Sequence, residues 1–245
     1  ENLAITPDGT TLLVPLHYWE DTDTVNSQLF TFDVRNSLTP RLGDVANILP
    51  TDSNADFGPR DVVAGLAGDG QTAVALVTTG LFQDSGPSEV VLVDVTNPYN
   101  AYPVSTVEVG SRGGSIDVAP GRSLAVVTGI SLYDSGSAST DSTIDVIDFS
   151  DPENPEVIYT LTREVSFMFG VAVTDDGSMA LLTDAGQPTS TANSAVSLDL
   201  SDPNNIGLIG SPFHFAGVGS PRAAIAPDGL TAVVSATNSN AVVVL

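Results

Sequence analysis

The stretch LAITPDGTTLLVP, from Leu3, returns near the other end of the chain as RAAIAPDGLTAVVS, from Arg222. Weaker versions lie between them: VVAGLAGDGQTAVALVTTG from Val62, SIDVAPGRSLAVVTGI from Ser115 and GVAVTDDGSMALLTDAG from Gly170. Each is an alternating apolar run, a tight turn of Asp, Pro and Gly, and a second apolar run. The turn glycines Gly9, Gly70, Gly121, Gly177 and Gly229 are spaced by 61, 51, 56 and 52 residues. Glycine supplies the positive φ that such hairpins need. A repeat of this period is the strongest constraint on the fold, because one such unit cannot bury its apolar face alone.

A second phrase follows each of the first four hairpins: LFTFDVRNSLTP from Leu29, VVLVDVTNPYNAYPVSTVEVG from Val90, IDVIDFSDPENPEVIYTLT from Ile144 and AVSLDLSDPNNIGLIG from Ala195. A strand ends on Asp33, Asp94, Asp148 or Asp199, and another strand follows the turn. Asp and Asn close such turns through their side chains, and Pro ends ladder pairing. The four aspartates read as turn caps. The unit is therefore four antiparallel strands in about fifty residues. No helical 3.6-residue pattern of useful length interrupts it. The expected fold is all-β, a single β-propeller domain over 1–245, with blades at about 1–58, 59–110, 111–165, 166–218 and 219–245.

The PDG hairpin followed by V-x-V-x-D-V-S/T-D/N-P resembles the YVTN and LVIVD classes of propeller repeat over nearly the whole chain. The resemblance implies the fold and leaves function open, since such repeats serve many roles. Two departures stand out: the Asp-Pro turn is degraded in DVRNSLTP, and APGRS at Ala119 lacks the hairpin Asp.

The fifth unit, RAAIAPDGLTAVVSATNSNAVVVL, contains three strands and lacks a fourth. The chain reads as a piece of a larger ring, or as one whose NAVVVL edge accepts a strand from another segment. A five-bladed ring with one thin blade is the alternative.

Of the 245 residues, 42% are hydrophobic, ample for a core despite a net charge of -23. Thirty acidic residues face seven arginines and no lysine. Such a surface repels phosphate backbones and anionic lipid, so neither nucleic acid nor a membrane surface is an expected partner. It suits a salty medium, where screening tolerates dense like charge. No apolar run is long enough to span a bilayer as a helix. Without cysteine there is no disulfide framework. An extracellular or cell-surface location is the expectation.

Candidate site residues fall in three groups. Arg60, Arg112 and Arg222 stand near the starts of first strands, where they would ring the channel mouth and hold a carboxylate or phosphate, or pair with neighbouring Asp between blades. His17 and Trp19, within the polar stretch HYWEDTDTVNSQ between second and third strands, could contact a ligand at the rim or cover a blade edge. Asp21, Asp23 and Asn26, and Asp52, Asn54 and Asp56, offer oxygen ligands to calcium, although Gly58 and Val63 break the EF-hand pattern. FMFG from Phe167 and PFHFAG from Pro212 read as packing segments in blade connections.

Two histidines in different blades exclude a His-rich metal centre, and no nucleophile elbow, zincin motif or phosphate loop occurs. The expected function is a non-catalytic propeller acting in binding or assembly, with a protein or glycan at the loop face and strand addition at the C-terminal edge. The alternatives are a calcium-dependent lactonase-like or lyase-like enzyme and a calcium-dependent carbohydrate-binding module.

Overall fold

The computed structural model describes residues 2–19, 25–48, 57–81, 88–110, 112–130, 142–163, 168–185, 192–216, 222–236 and 241–245. The first sheet is β1 (Ala4–Ile5), β2 (Thr11–Trp19), β3 (Val25–Asp33) and β4 (Arg41–Asn47). The second is β5 (Phe57–Leu66), β6 (Ala73–Leu81), β7 (Ser88–Asp94) and β8 (Tyr102–Val109). The third is β9 (Arg112–Ala119), β10 (Leu124–Ile130), β11 (Ser142–Asp148) and β12 (Glu156–Arg163). The fourth is β13 (Met168–Val173), β14 (Met179–Asp184), β15 (Ala192–Asp199) and β16 (Gly207–Ala216). The fifth has three strands, β17 (Arg222–Ile225), β18 (Ala232–Ala236) and β19 (Ala241–Val244). Neighbouring strands in every sheet are consecutive in sequence and antiparallel.

The sheets meet most closely along their first strands: β5 lies against β1 and β9, and β13 lies against β9 and β17. Fourth strands touch more sparsely, β8 meeting β4 and β12. Close inner strands and splayed outer ones place the sheets radially, as the blades of a propeller. The core is accordingly four layers rather than one. Leu13, Leu29, Ala75, Val77 and Val91 fill the first interface, and Leu76, Leu92, Val127, Ile147 and Phe149 the second. Val126, Ile144, Leu182 and Leu198 fill the third, and Leu181, Phe215 and Val234 the fourth. Each fully buried Val, Leu, Ile or Phe among them contributes about 1.5–3 kcal/mol. Strands buried on both faces need continuous apolar runs, which is why VALV and AVV recur where a one-sided sheet would alternate.

The hairpin tips follow the expected chemistry with one exception. Gly9, Gly70, Gly177 and Gly229 have φ of 66–71° and donate to Thr6, Ala67, Thr174 and Ala226 three residues back. The preceding Asp8, Asp69, Asp176 and Asp228 accept backbone N–H bonds from the far side of the turn. In the third hairpin Arg122, not Gly121, donates the equivalent bond, to Ala119. Gly121 (φ 71°) therefore sits one place earlier, where the other tips carry Asp, and Ser123 takes a positive φ of 53°. The missing Asp of APGRS has shifted the strained position rather than removed it.

The Asp-Pro turns are capped as expected: Asp33, Asp94, Asp148 and Asp199 each accept the N–H two residues on. The degraded first turn is reinforced by Arg35, whose Nε and Nη2 clamp Asp33 at 2.9 and 2.6 Å. Tyr99 of the second blade also donates to this carboxylate, at 2.8 Å.

Three boundaries differ from the sequence reading. β2 and β3 run through much of HYWEDTDTVNSQ, their last pair being Trp19 and Val25. Pro212, Phe213, His214 and Phe215 lie within β16, not in a blade connection. Met168 and Phe169 likewise open β13, while Phe167 lies outside the described residues.

Candidate functional site

One rung of the inner strands gathers polar groups from several blades. On the second strands, the hydroxyls Thr78, Thr128, Thr183 and Ser235 occupy one repeated position. They face Asp61, Ser115, Gly170 and Arg222 on the first strands. Thr78 and Thr128 accept the N–H of Asp61 and Ser115 at 3.0 and 3.2 Å. Each of the second, third and fourth sheets has a bulge beside this rung, and Arg60 is the extra residue in the second. A bulge turns a side chain out of the strand's ordinary alternation.

The side chains on this rung bond across blades. Asp61, only 4% exposed, accepts from Asn2 Nδ2 at 2.7 Å, Val62 N at 2.9 Å, Ser115 Oγ at 3.0 Å and Ile116 N at 3.2 Å. Arg222 Nη1 donates to Ser115 Oγ at 3.0 Å and lies 3.9 Å from Asp61 Oδ2. Groups from the first, second, third and fifth blades thus form one network about the axis. The fourth blade contributes Gly170, which adds no side chain. The Arg222 side chain remains 53% exposed.

Other aspartates join blades in the same manner. Asp117 accepts Val118 N at 2.9 Å and, from the fourth blade, Val173 N at 2.8 Å. Asp44 accepts Val45 N at 2.8 Å and Ala101 N of the second blade at 3.1 Å. Asp145 reaches back to Gly110 N at 3.0 Å and accepts Thr160 Oγ1 at 2.6 Å. Burial pushes the Asp117 carboxyl up against the lowering effect of its two amide partners, and the nearby Asp61 charge adds to the rise.

The three arginines do not share one position in their blades. Arg222 shares the rung of Asp61, Arg60 occupies the adjacent bulge, and Arg112 pairs with Ile130 further toward the strand start. All three lie within first strands, near the end from which the second-to-third connections leave. Only the backbone of Arg112 is described. His17 is half-buried; its Nδ1 is 3.2 Å from Ser27 Oγ. A Cβ on Gly58 would stand 2.8 Å from the same nitrogen, so Gly58 lets β5 pass against the ring. The His17 ring thus stands where the first two blades meet. Trp19 and Asn26 are placed by backbone alone, and Asp21, Asp23, Asp52, Asn54 and Asp56 lie outside the described residues.

Sequence reasoning missed Asp44, Asp61, Asp117 and Asp145. The signal was present: a lone Asp inside an apolar strand, and a hydroxyl closing LVT, VVT, LLT and VVS in four successive second strands.

No family profile matches the chain, and no curated protein matches it in sequence. Solved structures do match in shape. Hydrazine synthase of Kuenenia stuttgartiensis superposes with a TM-score of 0.65 at 15% identity, over 99% of this chain and 70% of that one. Chaetomium thermophilum Sqt1, bound to the N-terminus of ribosomal protein L10, gives 0.58 at 14%, over 95% and 56%. The β-propeller domain of Cps50 (Swd1) from Myceliophteria thermophila gives 0.55 at 10%, over 99% and 82%. These likenesses, with the radial four-stranded sheets, define the protein as a β-propeller. Its visible polar centre is an axial network of Asp, Ser and Arg.

Proposed function

We propose that this propeller is a non-catalytic binding module, built on repeats of the YVTN or LVIVD kind, that receives a protein segment at the loop end of its axis. The observation that carries the reading is the division of labour on the axial rung. Asp61 is fully engaged in holding blades together. The Arg222 guanidinium is anchored by Ser115 through one nitrogen and is otherwise half in water. A guanidinium so fixed can take a carboxylate through its remaining N–H groups. Arg60, in the bulge beside Asp61, lies near the same strand end. The net charge of -23 disfavours a strongly anionic ligand, so the carboxylate would sit on a neutral or basic segment.

Sqt1, a neighbour in shape, is bound to the terminus of another protein. That precedent belongs to Sqt1 and supports the reading only by analogy of fold. An extracellular or cell-surface setting accords with the lysine-free acidic composition.

The test is a library of short peptides with free and amidated C-termini, screened against wild type and Arg222→Ala. Binding that needs both the free carboxylate and Arg222 supports the reading; binding indifferent to Arg222 overturns it. Calcium at Asp21, Asp23 and Asn26 or at Asp52, Asn54 and Asp56 is a separate proposal, tested by melting with and without the ion. A large calcium-dependent rise in Tm, followed by turnover of a lactone panel or retention of glycans, would move the assignment to the enzyme or the carbohydrate-binding module.

A further inference from the structure

The junctions between successive sheets close differently at the hairpin end of the strands. Val95, Phe149 and Leu200 each follow a turn aspartate and donate their N–H back to the start of the second strand. Each packs in the junction with the sheet before its own. Between the second and third sheets the hairpin and turn touch directly: Gly68 N donates to Ser150 O at 2.9 Å, and Ser123 Oγ to Leu66 O at 2.8 Å. Between the third and fourth, an arginine fills the gap. Arg122 Nη1 donates to the carbonyls of Leu200 and Ser201 at 3.1 and 3.0 Å. Its stem packs on the fourth-blade hairpin, where a Cβ on Gly177 would stand 3.0 Å from Arg122 Cδ.

The junction between the first and second sheets has neither device. Gly9 makes the turn bond that Arg122 makes in the third blade, and a Cβ added to it would meet nothing within 4 Å. Among the described residues nothing donates to the carbonyls of Val95 and Thr96, the counterparts of Leu200 and Ser201. A cleft of about 330 Å³ remains, with Leu66, Ala73 and Val95 as its apolar floor and Asp8, Gln71 and Thr96 exposed at its rim. Clefts that hold small ligands start at roughly this volume. Among the described residues Asp8 Oδ2 accepts only from Thr10 Oγ1, at 2.8 Å, and no cation pairs with it. Asp69 and Asp94 adjoin Gly70 and Val95 of the lining in sequence.

We propose that this cleft binds a guanidinium carried on an apolar stem, supplied from outside the chain as Arg122 supplies one from within it. The floor takes the stem, as apolar surface takes the methylenes of arginine elsewhere. The Val95 and Thr96 carbonyls and the Asp8 carboxylate take the N–H groups. A net charge of -23 draws a cation to this face and repels anions. A free alkylguanidinium and an arginine side chain of a partner protein share this chemistry. The cleft lies at the hairpin ends of the strands, whereas Arg222 opens β17 at the other end, so this site and the axial one stand or fall separately.

The probes are n-butylguanidinium and a capped glycine pentapeptide with a central arginine, titrated into isotope-labelled protein at low ionic strength and followed at the Gly70 and Gln71 amide signals. Butylurea and a citrulline version of the peptide are the uncharged controls. Val95→Phe places in the cleft the side chain that Phe149 places in the next junction. Asp8→Asn keeps an acceptor for the turn bonds and removes the rim charge, so the question stays answerable if the first variant misfolds. Asp228→Asn removes the same charge from a hairpin tip outside the cleft. The expected result is saturable shifts with the cations, lost in Val95→Phe, weakened roughly threefold or more in Asp8→Asn and unchanged in Asp228→Asn. A peptide about tenfold tighter than butylguanidinium supports the site and assigns the cation to a partner protein; comparable affinities support it and assign a free small molecule. Absence of saturable shifts, binding by folded Val95→Phe and Asp8→Asn equal to that of wild type, or equal shifts with the uncharged controls would overturn the proposal.

Discussion

Arg222 Nη1 lies 3.0 Å from Ser115 Oγ, joining the inner strand of the fifth blade to that of the third across the intervening fourth. Ser115 in turn donates to Asp61 of the second. The order of the relay determines the outcome of cutting it. Asp61→Asn keeps the shape but turns an amide donor toward N–H and O–H groups that already donate. It should cost about 2–4 kcal/mol in urea unfolding, the range for orphaning buried hydrogen-bonded groups. Arg222→Ala should cost at most about 1 kcal/mol, because its ion pair is long and half exposed. Equal costs would mean that the relay does not centre on Asp61.

Phe149 follows the turn aspartate of the third blade and is 1% exposed between the second and third sheets. Gly65 makes room for it: a Cβ there would meet Phe149 Cζ at 2.7 Å. Phe149→Ala should destabilise by about 3–5 kcal/mol. Gly65→Ala should also destabilise, by overpacking, at about 1–3 kcal/mol. Chemical denaturation measures both.

Gly9 and Gly43 separate two reasons for glycine. Gly9 has a φ of 71° with nothing within 4 Å of the point where a methyl would stand, so Gly9→Ala should cost about 1 kcal/mol from backbone strain alone. Gly43 packs on the Pro98 carbonyl, which Thr31 Oγ1 also binds at 2.6 Å. A methyl there collides with backbone of the next blade, so Gly43→Ala should lower Tm more than Gly9→Ala does.

Two carboxyls give opposite pH signs. Asp176 is held down to about 2 by the Thr174 hydroxyl first and the Ser178 amide next. Its contribution is complete above the unfolded value near 4 and is lost as pH falls through about 2. Burial raises Asp117, so its contribution is complete below the unfolded value and is lost as pH climbs through the raised one. Asp117→Asn should therefore flatten the decline of Tm on the neutral side of pH 4, while Asp176→Asn should flatten the loss at the acid end. Melting curves from pH 2 to 7 test both.

With a net charge of -23, self-repulsion opposes compaction at low ionic strength. Tm should rise as sodium chloride goes from 10 mM to 1 M, most steeply below about 0.15 M, where the screening length is still long.

The fold was legible because its signals are local and repeated. Turn glycines, capping aspartates and double-sided apolar runs recur in phase, and each acts within a few residues of itself. The shared rung was not legible because bulges beside Asp61, Ser115 and Gly170 insert a residue into the inner strands. Counting along the chain then loses the rung. The HYW stretch looked like a loop because polar residues dominate it, yet cross-strand pairing continues to Trp19 and Val25. Asp61 was missed because its role depends on residues far from it in the chain. Its acceptors are filled from residues 59 positions before it and 54 and 55 after it, so the lone Asp marks the position while its partners lie beyond any local spacing.

The carboxylates that bridge adjacent sheets do not occupy matching places. Asp44 sits on an outermost strand, Asp61 and Asp117 on innermost strands two rungs apart, and Asp145 on a third strand pointing backward. Each junction is keyed differently, so the units are not interchangeable bricks. Deleting, duplicating or shuffling one would strand the amides of Ala101, Ile116 or Val173 without their acceptors, and the series tolerates only the order in which it is written.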